Sequence, residues 1–203
     1  INIDTMKTIK KAIQIEINVK KSQFICSLVP TKTKAESKEV IRKFNEKYND
    51  ATHNCTAYIV SDGEGFDDDG EPGGTAGKPM INVLRKNEIH NVTAVVTRYF
   101  GGIKLGAGGL VRAYSKSVME AIGEAEILEI EQYDVYNLNF EYSDIKTVDG
   151  EVRNNKLEVI AKDYSDKVSY DVVSKDNRDI LKIFEKYLGK ISVEFKNKQF
   201  LEK

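Results

Sequence analysis

Residues 91–100, NVTAVVTRYF, are almost apolar throughout, and the nine residues after them, 101–109, contain five glycines. A helical pattern follows over 110–125, with Leu110, Ala113, Ser117, Ala121 and Ile122 spaced to line one face. Strand, glycine loop and helix in that order constrain the fold more than any other part of the chain. A strand without a polar face belongs inside a sheet covered on both sides, so 91–100 is expected to be central. The glycines allow positive φ angles and close backbone approach, and give the chain a sharp passage from strand to helix.

The preceding segments supply the rest of this sheet. Ile13, Ile15, Ile17 and Val19 alternate with Gln14, Glu16, Asn18 and Lys20, a period of two that marks a strand with one buried face. Residues 22–29 and 54–60 read as two more strands. TKAE at 33–36 has the form of a capping box, opening a helix that spaces Val40, Ile41, Phe44 and Tyr48 together. A short helix over 80–87 is expected before the central strand.

The pattern begins afresh near residue 131. Residues 132–142 alternate as a strand, and Ser143 is placed to cap a helix bearing Ile145, Val148 and Val152. Residues 157–165 and 167–175 are two strands joined by a turn at Ser165-Asp166. A second helix over 176–189 begins with the capping Asp176 and ends at Gly189, and 190–200 is the last strand. The order β-α-β-β-α-β is the ferredoxin-like arrangement. The expected architecture is α+β in two domains, 1–130 and 131–203, with no internal repeat and no low-complexity linker.

Charge and composition remove several function classes. The net charge of −1 provides no global basic field for nucleic acid, so such binding needs a local patch. No apolar run approaches the roughly 20 residues of a membrane span. The first residues carry no apolar block of a signal peptide, so a cytoplasmic protein without membrane contact is expected. Cys26 and Cys55 are too few for a disulfide scaffold and read as free, unligated thiols in apolar strands.

Two loops carry the candidate chemistry. Arg98, Lys104 and Arg112 surround the glycine loop, and the amides of Gly106, Gly108 and Gly109 at a helix start suit an anion. The spacing of Gly101 and Gly106 is that of a P-loop, but Ala107 and Gly108 stand where Lys and Ser or Thr belong. Val111 likewise breaks a dinucleotide fingerprint. Locally the loop reads equally as a ligand cradle or as a tight structural turn. Upstream, SDGEGFDDDGEPGGTAGKP at 61–79 holds six acids, Asp62, Glu64, Asp67, Asp68, Asp69 and Glu71, before its first cation, Lys78. The spacing fits no EF-hand, and neither metal nor cofactor is expected. Charge complementarity predicts that Asp67, Asp68, Asp69 and Glu71 face Arg98, Lys104 and Arg112. His53 and Cys55 lie two apart on one strand face, yet no orienting group for a catalytic pair and no fourth zinc ligand besides His90 stands at a diagnostic spacing.

DDDGEPGGTAGKPM, followed by VVTRYFGGIKLGAGGLVRAYS, resembles the signature of the IMPACT family, whose bacterial branch is the YigZ type. DATHNCTAYIV at 50–60 and KKSQFIC at 20–26 are similar to it as well. The resemblance implies a first domain of the ribosomal-protein S5 domain 2-like fold, related to a domain of elongation factor G, and a small ferredoxin-like second domain. It also implies a connection to translation, because eukaryotic relatives act in translational control by competing for an activator of the initiation factor two kinase. Two functions are consistent with the residues. One is a binding protein associated with translation, contacting RNA, the ribosome or a protein partner through the glycine loop, with no catalytic residues. The other is an enzyme acting on a phosphorylated small molecule between the two loops. Tyr133, Tyr136, Phe140, Tyr164, Tyr170 and Phe195 offer rings for base stacking in the second domain, although most are expected in its core.

Overall fold

The computed structural model describes residues 6–203, which divide into two compact units, Met6–Glu129 and Ile130–Lys203. The first unit contains β1 (Met6–Ile9), β2 (Ile13–Val19), β3 (Ser22–Pro30), α1 (Lys34–Lys47), β4 (His53–Val60), β5 (Gly63–Asp67), α2 (Gly77–Lys86), β6 (Val92–Tyr99) and α3 (Ala107–Glu124). Five of its strands form an antiparallel sheet in the order β2-β3-β6-β4-β5. β6 is central as expected, and its residues from Val92 through Arg98 are all buried.

The two faces of β6 are occupied differently. Val92, Ala94 and Val96 join the apolar core with Met80, Leu84, Leu110, Tyr114 and Val118 of α2 and α3. On the other face Thr93 Oγ1 lies 2.8 Å from Thr31 Oγ1 and donates to Ser37 Oγ of α1 at 2.9 Å. Thr97 donates to Asn54 Oδ1 at 2.7 Å. These bonds explain how α1 packs with a serine as its most buried residue, while Val40, Ile41, Phe44 and Tyr48 are only half-buried.

Several boundaries differ from the sequence reading. β1 and the β4–β5 hairpin were not foreseen, because MKTI is short and GEGFD carries two glycines and two acids. α2 begins at Gly77, where Asp68 fixes its first turn from outside the helix. Thr33 does accept from the Glu36 amide at 3.2 Å, but Glu36 Oε2 returns a bond to the Lys32 amide rather than to that of Thr33.

In the second unit β7 (Ile127–Phe140) enters from the first, followed by α4 (Ile145–Asn154), β8 (Glu158–Tyr164), β9 (Val168–Val173), α5 (Ile180–Phe184) and β10 (Ile191–Glu202). The antiparallel strand order is β10-β7-β9-β8. Leu138, Phe140, Val148, Tyr170, Val172, Ile180 and Phe184 fill its core. Ser143 is not a cap: it lies inside a single 3-10 turn, Tyr142–Asp144, that leads straight into α4. The cap of α5 is Asp179, which accepts from the Lys182 amide at 3.1 Å, so Asp176 lies ahead of the helix. Gly189, at φ 88°, ends the segment only after a further 3-10 turn. Helices packed with antiparallel sheets make both units α+β.

Candidate functional site

The site begins at a hairpin whose lysines open the KKSQFIC stretch at 20–26, a stretch with no charge or spacing signal of its own. β2 and β3 are joined by Lys20 and Lys21, with Val19 paired to Ser22. Both lysines have positive φ, 45° and 67°, the backbone of a two-residue turn that normally selects Asn or Gly. The turn lies against the glycine loop. A Cβ at Gly101 would stand 1.9 Å from the Lys21 carbonyl oxygen, so only glycine permits this approach. Gly101 N also donates to Ser22 Oγ at 3.3 Å.

From there the loop climbs to α3. Gly106, at φ 73°, is the N-cap and supplies no side-chain bond, and the first helical turn contains no acid. The first bond of the helix runs from Leu110 N to Gly106 O at 2.9 Å, leaving the amides of Ala107, Gly108 and Gly109 ahead of the ladder. Arg112 folds back along this turn: its Nη1 lies 3.5 Å from where a Cβ of Gly108 would be. Lys20, Lys21, Lys104 and Arg112 are exposed and have no ion-pair partner among the described residues. The 31 residues 89–119 contain no carboxylate at all, so Lys104 and Arg112 have no acid close to them in sequence.

Arg98 plays a different part. Its Nη1 donates to Glu71 Oε1 at 2.6 Å, and only 6% of its side chain and 3% of that of Glu71 reach solvent. Its Nη2 donates to Ser22 Oγ at 3.3 Å, while Nε has no hydrogen-bond partner. The guanidinium carbon sits 5.4 Å from the Phe24 ring centre and 5.5 Å from that of Phe100, whose residue remains 46% exposed. Tyr114 of α3 donates to the same Glu71 oxygen at 2.7 Å and lies 3.3 Å from Cys55 Sγ. Burial pushes both the Tyr114 hydroxyl and the Cys55 thiol far above their ordinary pKa values, so both stay protonated.

The acidic loop is mostly consumed within itself. Asp68 accepts from the amides of Gly74, Ala76 and Gly77 and so caps α2. Asp69 accepts from Asn54 N at 2.6 Å, and Asp67 accepts from Asp69 N at 2.6 Å. His53 presents Nδ1 to Asp69 O at 2.7 Å and Nε2 to Glu71 Oε2 at 3.7 Å. The predicted meeting of the two loops therefore consists of one buried pair, Glu71 with Arg98, and Lys104 and Arg112 take no acidic partner. Among the described residues no group of three or more His, Cys, Asp or Glu is placed to hold a metal ion. Cys26 and Cys55 are free and buried, as expected.

In the second unit Tyr133, Phe140 and Tyr170 are core residues, whereas Tyr164 and Phe195 are each 54% exposed. No helix of the described residues is long and apolar enough to cross a membrane.

Comparison with known proteins places this geometry in company. Residues 20–122 match the Impact N-terminal domain, a span that holds β3, β6, β4 and β5 of the sheet, both loops and most of α3. The chain is 41% identical over 167 residues to the IMPACT family member YvyE of Bacillus subtilis, covering 81% of this chain and 77% of the relative. It is 35% identical over 100 residues to Protein IMPACT of Homo sapiens, covering 45% of this chain and 31% of that protein. The crystal structure of a hypothetical protein superposes with a TM-score of 0.72 at 29% identity, over 95% of this chain and 98% of the other.

Proposed function

The chain belongs to the IMPACT family, and from that premise we propose that it is a cytoplasmic binding protein working beside translation. It contacts RNA, the ribosome or a protein partner through an anion site at the start of α3. The observation that carries this reading is the charge of the surface: Lys104 and Arg112 are unpaired about a helix start without a side-chain cap, and Lys20 and Lys21 are unpaired in the turn that packs on Gly101 of the same loop. The amides of Gly106, Gly108 and Gly109, with Lys104 and Arg112, hold the anion. Arg98 supports the loop from beneath through Ser22 and Phe100; Asp68 fixes the start of α2 and Glu71 fixes Arg98, while Asp67 and Asp69 brace the acidic loop and β4. The translational control exercised by eukaryotic members supports the setting. An enzyme acting on a phosphorylated small molecule draws less support, because Asp68, Asp69 and Glu71 are already bonded to protein.

The fold names follow the same footing. A β-α-β-β-α-β unit with the fourth strand beside the first supports a ferredoxin-like domain over 131–203. Family membership supports a ribosomal-protein S5 domain 2-like fold for 1–130.

Cosedimentation with ribosomes at stepped salt tests the function. The wild-type chain is expected with ribosomes at low salt and to leave them steeply as salt rises. Lys104→Ala with Arg112→Ala is expected to stay unbound at an unchanged melting temperature. A wild-type chain that never cosediments rules out the ribosome as the partner, and a variant that cosediments equally well overturns the anion site.

A further inference from the structure

We propose that the end of the sheet where the Lys20-Lys21 turn meets Phe100 and the glycine loop is a docking surface for single-stranded RNA, with one base stacked on Phe100. The inference rests on the anion-binding reading above and names its partner. Its own ground is the construction around Phe100. This ring ends the central strand half in solvent, 46% exposed, where a large apolar side chain gains little by itself. It is backed by the Arg98 guanidinium, 5.5 Å from its centre. It is also held from the main chain, because Phe100 N donates to Thr52 Oγ1 at 3.0 Å. A ring braced by a guanidinium and nearly half exposed offers surface on which a base can stack.

The cations complete the argument. Lys21 abuts Gly101, the residue after Phe100, and Lys20 adjoins it in the same turn. Lys104 follows within four residues. Of the acids nearby, Glu71 is neutralised by Arg98, while Asp50 is held by the Tyr99 hydroxyl at 2.8 Å and keeps its charge. Cations that track a phosphate chain beside an open aromatic face are the pairing that single strands use. An acidic peptide would use the cations and leave the ring idle.

Fluorescence anisotropy with a labelled twelve-residue oligouridylate, a phosphoribose oligomer of equal length without bases, and polyglutamate tests this. The wild-type chain is expected to bind oligouridylate at least tenfold more tightly than either competitor. Phe100→Leu is expected to remove about tenfold of that affinity, while Phe100→Tyr retains it. Equal melting temperatures for the three proteins show that the fold is intact. Undiminished binding by Phe100→Leu, or competition by polyglutamate equal to that by oligouridylate, overturns the inference. If Lys104→Ala with Arg112→Ala abolishes binding while Phe100→Leu does not, the anion site stands and the base platform falls. If wild type and every variant fail to bind any of the three probes, both fall.

Discussion

Glu71 and Arg98 form an ion pair at 2.6 Å with both side chains almost wholly withdrawn from water. A charge pair held in that way is stable only as a pair. Glu71→Gln leaves a buried guanidinium without its counter-charge and is expected to cost about 3 to 5 kcal/mol in urea unfolding. Glu71→Gln with Arg98→Met is expected to cost clearly less than the sum of the two single changes, since no orphaned charge remains.

The two thiols provide a readout of intact packing. Cys26 is fully buried, and burial raises its pKa as it does that of Cys55. A thiolate-selective reagent at pH 8 is expected to modify neither in the folded protein and both after denaturation. A mass two hydrogens short of the fully reduced chain, or rapid modification of either thiol under native conditions, would contradict the structure.

Gly101 and Gly73 make a paired test of the turn contact. A Cβ at Gly101 meets Lys21 O at 1.9 Å, whereas one at Gly73 meets nothing within 4 Å. Gly101→Ala is therefore expected to destabilise by about 3 kcal/mol through a forced backbone shift. Gly73→Ala is expected to stay within about 0.5 kcal/mol of the parent. Thermal melts of the two variants check this.

Acid is expected to weaken the first unit through His90. Burial lowers the pKa of its imidazole below the ordinary value of 6.5, against the upward pull of Glu88 and Glu64. The unfolded chain then takes up this proton at a higher pH than the folded chain does. Stability contributed by neutral His90 is complete above about pH 6.5 and is lost as pH falls through the folded value. His90→Gln is expected to flatten the stability profile of this unit below pH 7, which denaturant titrations at several pH values would show.

Much of the frame was legible in the sequence because hydrophobic period and burial coincide there. Ile13, Ile15, Ile17 and Val19 alternate and form β2, and the apolar run at 91–100 is the central β6. The site was legible only in part. Charge complementarity sets the acids 67–71 against Arg98, Lys104 and Arg112, but nothing local singles out Glu71 for Arg98, 27 residues later, or adds Tyr114, 43 residues later, as its second partner. Lys20 falls in the alternation as a polar position and Lys21 follows it, with nothing local to mark a turn. Their place beside Gly101 arises from β3 pairing with β6, where Gln23 lies opposite Tyr99. Phe100 was read simply as the last apolar residue of a strand, because exposure depends on where the sheet stops.

Salt dependence distinguishes the turn lysines from the ring. If Lys20 and Lys21 each neutralise one phosphate of a single strand, the double alanine variant is expected to lower the slope of log affinity against log salt by about 1.4. Phe100→Leu is expected to leave that slope unchanged while lowering affinity at every salt concentration.

Lys20 and Lys21 occupy left-handed backbone at φ 45° and 67°. Each residue with a Cβ sacrifices about 1 to 2 kcal/mol in that conformation. An Asn-Gly pair would relieve this strain without altering the hairpin. Consensus-style engineering for thermal tolerance would therefore select Lys20→Asn and Lys21→Gly first, and would erase two of the four unpaired cations in doing so. In this hairpin, conformational ease and surface charge make opposite demands on the same two positions.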